Sequence, residues 1–351
     1  MPLFNAAALE TFAADVFQSF GVAAADARLV GHSLVDANLC GHDSHGVIRL
    51  VQYADALRDG RLKANAEFSV AKQTAGVLVA DGGWGLGQVM AHRLLERLVP
   101  RAQALGLAAG TLRHCGHIGR LGEYAEAATA QGLAFMASVN NHGFARGVAP
   151  PGGTLARLGT NPLCLGAPTD GDPAVLDIGT SVVAEGKVRV LFNKKQQVPP
   201  GWLLDDKGQP TTDPGVLYRD PRGTILPLGG AQAYKGFGIA LLLDMFVGGL
   251  SGGSCSNPAA PNMSANAVFF LVLDIDQFAG RQYFLDQVTE LAKNVRDCPR
   301  AEGVQEILLP GDPERREKAK RVKNGIALDD GTWTQLTELA QKQKVAIPPT
   351  K

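Results

Sequence analysis

Apolar residues recur every three or four positions through the first sixty residues and then gather into short unbroken runs. In AAALETFAADVFQSF, Leu9, Phe12, Val16 and Phe20 fall on one helical face. DARLVGHSLVDANL continues with Leu29, Leu34 and Leu39. SHGVIRLVQYADALRDG adds Val47, Leu50, Val51, Ala54 and Leu57 before Gly60 stops it. The spacing predicts helices from 6 to 58, broken near Gly41. The short runs that follow are GVLVAD, GLAAGTLR, LAFMASVN, AVLDI (174–178), NAVFFLVLDI (266–275) and EILLP (306–310). Helical segments at 88–104 and 120–131 lie between them. Strands alternating with helices predict an α/β architecture. DPERREKAKRVKNG predicts a solvated helix, with Pro313 near its start, acids first, bases later and Gly325 past its end. GTWTQLTELAQKQ predicts one more. GFGIALLLDMFVGGL is interrupted by Asp244 and too short to span a bilayer, so it predicts a buried helix. Residues 192–230, rich in Pro, Gly and Asp, form the longest irregular stretch, a feature that is usually functional or joins lobes.

A chain of 351 residues exceeds one comfortable core and predicts two or three lobes. The pattern places a helical lobe at 1–75, joined by the C-terminal helices at 312–351. An α/β region at 76–311 then binds cofactor and substrate. With 34 basic and 34 acidic residues, no global field draws in nucleic acid or an anionic membrane. An aromatic share of 6% with no basic stripe argues against RNA binding. Cys40, Cys115, Cys164, Cys255 and Cys298 are odd in number, far apart and without a C-x-x-C. They read as reduced thiols of a cytoplasmic protein. The N-terminus has no basic region and carries Glu10 and Asp15, unlike a signal peptide.

Candidate chemistry gathers at element ends. In GHDSHGVIRL, Ser44 or Asp43 can cap a helix on which His45 and Arg49, four apart, share a face away from the apolar seam. Arginine clamps a carboxylate bidentately, while a histidine titrating near neutrality moves a proton on the neighbouring carbon's oxygen in either direction. RHCGHIGRLGEY repeats the theme with His117 and Arg120 at a strand end, where open α/β sheets place ligands. Cys115 is a candidate thiol there. SVNNHG offers Asn140, Asn141 and His142 as ligand donors. His42, His45, His114 and His117 could instead form the metal site of a hydrolase, although no familiar ligand spacing is present. AVLDIGTSVVAEGK reads as a strand, Asp177 for a ribose hydroxyl, and a helix capped by Thr180 or Ser181. Lys235 and Gly236 stand at the mouth of another helix, where a lone lysine runs against the dipole and favours a bound anion. DGGWGLGQ has the glycine spacing G-x-G-x-G and no acid at the proper distance, so a standard Rossmann site is rejected.

Taken in order, ANLCGHDSHGVIRL, GHIGRLGEYAE, LGTNPLCLGAPT, AVLDIGTSVVAEGKVRV, QPTTDP, AYKGFGIALLLD and LLPGDPE resemble the malate/L-lactate dehydrogenase family of type-2 oxidoreductases over nearly the whole chain. VPPGWLLDDKGQPTTDP is most similar to its hydroxycarboxylate dehydrogenase B branch. The resemblance implies a non-Rossmann α/β nucleotide-binding fold and hydride exchange between NAD or NADP and a small 2-hydroxy or 2-oxo acid. It also implies a homodimer with the active site near the interface. It makes His45 an active-site histidine near the cofactor and His117 the proton carrier of some branches. Of the two, His45 is the expected general acid/base and His117 the second choice, with Arg49 and Arg120 expected on the substrate carboxylate. Asn140 and His142 fall at the substrate. Gly119, Arg120 and Leu121 then contact the cofactor, as do Val175, Leu176, Asp177, Ile178 and Gly179. Tyr234, Lys235, Asn266, Gly311, Asp312, Pro313 and Glu314 complete that set. Tyr234 and the Asn141-His142 pair depart from the family pattern, so no specific substrate carries over. No metal is implied. Reduction of a cyclic imino acid on the same fold is the nearest rival; a binding protein without catalysis sits poorly with so many polar clusters.

Overall fold

The computed structural model describes residues 1–142, 146–259 and 265–351. The helical N-terminus forms as α1 (Ala6–Ser19), α2 (Ala24–Leu39) and α3 (Arg49–Arg58). Asn5 caps α1 by accepting from the Ala7 amide. Leu9, Phe12, Val16, Leu34 and Leu50 are fully buried, as the periodicity requires. The third helix starts later than expected. Asp43–His45 is a single 3-10 turn, and α3 begins only at Arg49. His45 and Arg49 therefore do not share one helical face.

Among the described residues, seven strands form one mixed sheet: β1 (Ser69–Gln73), β2 (Val77–Gly85), β3 (Leu107–Cys115), β4 (Leu133–Asn140), β5 (Leu163–Ala167), β6 (Ala174–Ile178) and β7 (Asn266–Asp274). Their order is β1-β2-β3-β7-β4-β5-β6. Only β2 and β3 pair in parallel, joined by the crossover helix α4 (Gly87–Leu105); the other neighbours are antiparallel. β7 is central, with Phe270 opposite both Gly110 and Ala137. That position explains its nearly unbroken apolar sequence. The expected boundary near residue 75 falls between β1 and β2, which pair with each other. One hydrophobic core runs from α1–α3 through α4 and α5 (Gly122–Thr129) into the sheet.

A second, small core holds Val148, Val183, Val188, Val198, Leu203, Val216 and Ile225. It joins the irregular stretch, which carries a three-stranded sheet of short segments, to α6 (Glu185–Asn193) and to Val148 and Val183 before it. Neither Thr180 nor Ser181 caps α6. The Thr180 hydroxyl donates to the Thr160 and Asn161 carbonyls, tying the end of β6 to the neighbouring loop. The apolar run forms α7 (Tyr234–Ser251), which is not buried all round: Ile239, Leu242, Met245, Phe246 and Leu250 are 45–56% exposed. An amphipathic helix, α8 (Arg281–Arg296), follows β7 with no buried residue. EILLP joins no sheet, and only the Pro310 carbonyl is tied to one among the described residues, accepting from the Val175 amide. The C-terminal helices α9 (Asp312–Asn324) and α10 (Asp330–Gln343) return to the N-terminus. Lys318 of α9 pairs with Asp36 of α2, and Trp333 of α10 packs on Phe4 with ring centroids 4.5 Å apart.

Candidate active site

Two loops from distant parts of the chain meet over the sheet. The first carries His45. Gly46 lies so close to Asn38 that an added Cβ would stand 2.2 Å from its Oδ1, and that oxygen accepts from the Val47 amide. Asn38 Nδ2 donates to Asp43, and Arg321 of α9 bonds both Asp43 and the Asn38 carbonyl. The turn that presents His45 is thus fixed from both sides. The second loop, 116–121, carries His117. Gly87 at the start of α4 abuts its backbone; a Cβ there would fall 2.2 Å from the Gly116 carbonyl. Tyr124 donates to the Ile118 carbonyl at 2.6 Å, and Asn266 Oδ1 accepts from the Ile118 amide at 2.9 Å. Buried Cys115 donates to the Asn266 carbonyl, and burial pushes its thiol above the ordinary range, so it is a structural thiol.

The loops bring the two imidazoles face to face, with centroids 5.3 Å apart and planes inclined by 28°. Both line a cleft of about 670 Å³ together with Arg49. Arg49 Nε donates to the Ser44 carbonyl and Nη1 to Gln52, which fixes the guanidinium at the cleft wall. Ser44 Oγ lies 3.0 Å from His45 Nδ1, and Tyr53 Oη lies 2.7 Å from His117 Nδ1. Burial pushes His45 down to about 3, with the Arg49 charge adding to the shift. Burial, Arg49 and His45 push His117 well below its ordinary value. The near-neutral carrier expected from sequence is therefore not the resting state. A carboxylate bound beside Arg49 offsets part of the guanidinium field and raises both rings.

These shifts carry a stability consequence. An unfolded chain protonates both histidines as pH falls through about 6.5, whereas the folded chain holds them neutral to much lower pH. Their contribution is intact above about 6.5 and is lost progressively as pH falls toward the folded values. Denaturant titrations at stepped pH will give an unfolding free energy that declines below pH about 6.5, with a shallower decline in His117→Gln. Equal slopes in the two proteins would contradict the neutral assignment.

Three expected substrate contacts are placed otherwise. The Arg120 side chain is 2% exposed. It bonds Asp36 at 2.7 Å and Glu126 at 2.9 and 2.7 Å, so it is committed to a buried ion pair away from the cleft. Asn140 reaches the cleft, but its amide donates to Asp244 and the Ser254 carbonyl and its oxygen accepts from the His142 amide. His142 is buried against His114 and Trp84, ring centroids 5.3 and 5.8 Å away, outside the cleft lining. Of the four histidines of the hydrolase reading, His114 stands apart, bonded to Asp81 and stacked on His142, while His42 lies 6.5 Å from His45 between ring centroids and 3.5 Å from Glu314. Among the described residues, no three His, Cys, Asp or Glu side chains are placed to hold a metal.

The expected cofactor residues fall in several surroundings, two of them in the cleft lining. Gly119, at φ +77°, lies in the lining, as does Asn266, whose amide donates to the Asn140 carbonyl. Leu121 buries its side chain in the core. Asp177 accepts from the Gly122 amide at 2.8 Å, and burial pushes its carboxyl up. The Val175 amide donates to the Pro310 carbonyl, which sets Gly311, Asp312, Pro313 and Glu314 beside Val175 and Leu176. The opposite end of β6, Ile178 and Gly179, runs into Thr180. Tyr234 and Lys235 are exposed at the start of α7, outside the cleft lining. Sequence reasoning missed Tyr53, Gln88, Thr160, Asn161 and Arg146. Tyr53 had one usable signal, a hydroxyl four residues after Arg49 in a helix whose neighbouring positions are apolar. Arg146 belongs to no motif, yet its Nη1 is buried at the cleft with no hydrogen-bond partner among the described residues.

The Malate/L-lactate dehydrogenase family model matches residues 4–337. The chain belongs to this family. The chain is 34% identical over 344 residues to hydroxycarboxylate dehydrogenase B of Escherichia coli K12, covering 97% of this chain and 94% of that protein. It superimposes on sulfolactate dehydrogenase from Methanocaldococcus jannaschii with a TM-score of 0.87 at 31% identity, covering 98% of both chains. It also superimposes on a delta1-piperideine-2-carboxylate reductase from Pseudomonas syringae, with a TM-score of 0.84 at 26% identity and coverage of 97% and 100%. The mixed α/β fold and the oxidoreductase class expected from the sequence motifs both hold.

Proposed function

We propose that the chain is an NAD(P)-dependent dehydrogenase interconverting a small 2-hydroxy acid and its 2-oxo acid. The observation that carries this reading is the stacked His45–His117 pair beside Arg49 in one cleft. Arg49 holds the substrate carboxylate, with its guanidinium plane set by Ser44 and Gln52. His117 moves the proton on the oxygen of the adjacent carbon, and His45 packs against the opposite ring face. Arg146 Nη1 and Asn161 Oδ1, buried at the cleft with no partner among the described residues, are polar atoms suited to a polar ligand.

Gly119, Val175–Gly179, Asn266 and Gly311–Glu314 fit a dinucleotide. Gly119 and Asn266 line the cleft, and Gly311 packs so closely that a Cβ there would stand 2.6 Å from Arg315 Nη1 and 3.4 Å from the Val175 nitrogen. When bound, the nicotinamide accepts or supplies the hydride at the substrate carbon. The exposed stripe Ile239, Leu242, Phe246 and Leu250 on α7 supports a homodimer. The unpaired cysteines support a reducing, cytoplasmic setting.

The reading is tested by nicotinamide absorbance with NADH and NADPH against a panel of 2-oxo acids and one cyclic imino acid. Consumption with a 2-oxo acid is expected. Consumption with the imine alone would move the enzyme to the reductase reading, which the piperideine-carboxylate reductase neighbour favours. Arg49→Lys removes the fork while keeping the charge. It should raise KM for the 2-oxo acid by roughly tenfold or more, the scale of one charge-assisted hydrogen bond. An unchanged KM would take Arg49 off the carboxylate.

A further inference from the structure

Behind His117, on the side away from the cleft, stands a tyrosine that the reaction as described does not use. We propose that Tyr53 is a positioning residue for His117, its hydroxyl swivelling to keep Nδ1 paired in both protonation states that the ring passes through. This inference rests on His117 being the proton carrier.

Tyr53 lies on α3 and is 3% exposed. Its Oη is 2.7 Å from His117 Nδ1 and 3.4 Å from the His117 carbonyl oxygen. Gln88, fully buried on α4, donates its Nε2–H to the same Oη at 3.2 Å. The phenol therefore keeps one lone pair and one proton to assign. With His117 neutral, Tyr53 donates to Nδ1, and the Gly119 amide points at Nδ1 as well, at 3.3 Å. Two donors at Nδ1 place the ring proton on Nε2, the other side of the ring.

With His117 protonated, Nδ1 also carries hydrogen. Tyr53 then accepts from Nδ1–H and turns its own proton to the His117 carbonyl. In the reduction direction, Nε2 gives its proton to the substrate oxygen as the hydride arrives at carbon, and the ring leaves that step neutral with Nδ1–H still held by Tyr53. Oxidation runs this step backwards: the neutral ring with its hydrogen on Nδ1, held by Tyr53, takes the hydroxyl proton at Nε2. The phenol itself is neither gained nor lost as an acid; burial pushes it up to about 12, so it keeps its proton throughout. The charged or titratable groups that act on the ring are Arg49 and His45. Both oppose its protonation, so an acceptor for Nδ1–H is the contact that favours the charged form.

The test is Tyr53→Phe, with two readouts. In the wild type, histidine ¹⁵N NMR of the resting protein should give His117 as the Nε2–H tautomer. In the variant, with one Nδ1 donor removed, it should give a mixture of tautomers. In turnover, kcat for reduction should fall by ~10-fold or more, with KM for the 2-oxo acid within about threefold. The alkaline limb of the kcat profile should move to lower pH by about one unit, the size expected for a hydrogen bond to a charged group. A purely structural tyrosine would lower stability and leave both the tautomer and the limb in place, and that result overturns the proposal. If no 2-oxo acid is turned over, the dehydrogenase reading fails, and an unchanged tautomer in the variant still overturns the pairing by itself.

Discussion

Replacing His117 by alanine is expected to lower turnover of the 2-oxo acid by at least ~100-fold, the usual scale for a general acid/base. The ring touches the cleft, is oriented by Tyr53 through Nδ1, and is stacked on His45. The sequence alone favoured His45 for the proton. The geometry favours His117, because its far nitrogen has a buried, specific partner, whereas His45 Nδ1 meets the hydroxyl of its own neighbour Ser44. His45→Ala should therefore cost less than His117→Ala while still lowering turnover. Steady-state kinetics of the two variants apportion the roles. A His117→Ala enzyme within threefold of wild type would remove His117 from the chemistry, and a larger loss at His45 would restore the original order.

The second large effect is on stability. Arg120→Ala should destabilise the fold by ~3–5 kcal/mol, the scale for removing one partner of a buried ion pair. Arg120 and Asp36 are 2% and 6% exposed, and Arg120 also holds Glu126. Burial opposes both charges, and mutual attraction outweighs it. The Glu126 and Asp36 carboxylates keep the guanidinium protonated, while Arg120 and Lys318 keep Asp36 ionised. Without Arg120, Asp36 keeps the Lys318 ammonium and the weak Cys40 thiol donor. Replacing both residues together with apolar side chains should recover part of the loss, since the uncompensated buried charge is then gone. Denaturant unfolding measures this. Were Arg120 a substrate clamp, the same substitution would raise KM and leave stability unchanged.

Most of the elements could be read from the sequence because their signal is local. Leu9, Phe12 and Val16 announce α1, and the apolar run at 266–274 announces the central strand. Failures came where the deciding partner is distant. EILLP has a strand's composition but joins no sheet. The apolar α7 looked buried because sequence does not record which side of a helix the chain itself covers. Pairing order was also hidden: β7 inserts between β3 and β4, so neighbours in the sheet are far apart along the chain. At the site, the residue types were legible and their company was not. Arg49 and Arg120 look alike in sequence; one lines a cleft, and the other is locked to Asp36, which lies on a different helix. His142 follows two asparagines in a polar turn, yet folds onto His114. Tyr53 lies among core positions of α3 and passes for packing until His117 is brought against it.

The central claim is that this cleft carries a hydride to or from the carbon beside a clamped carboxylate while His117 moves the proton. The most direct measurement is reduction of an accepted 2-oxo acid with nicotinamide cofactor deuterated at the transferring position, followed by mass spectrometry of the product. The expected product is a 2-hydroxy acid carrying one deuterium at C2, formed at a rate that collapses in His117→Ala. A product without deuterium at C2, or deuterium transfer undiminished in that variant, would contradict it.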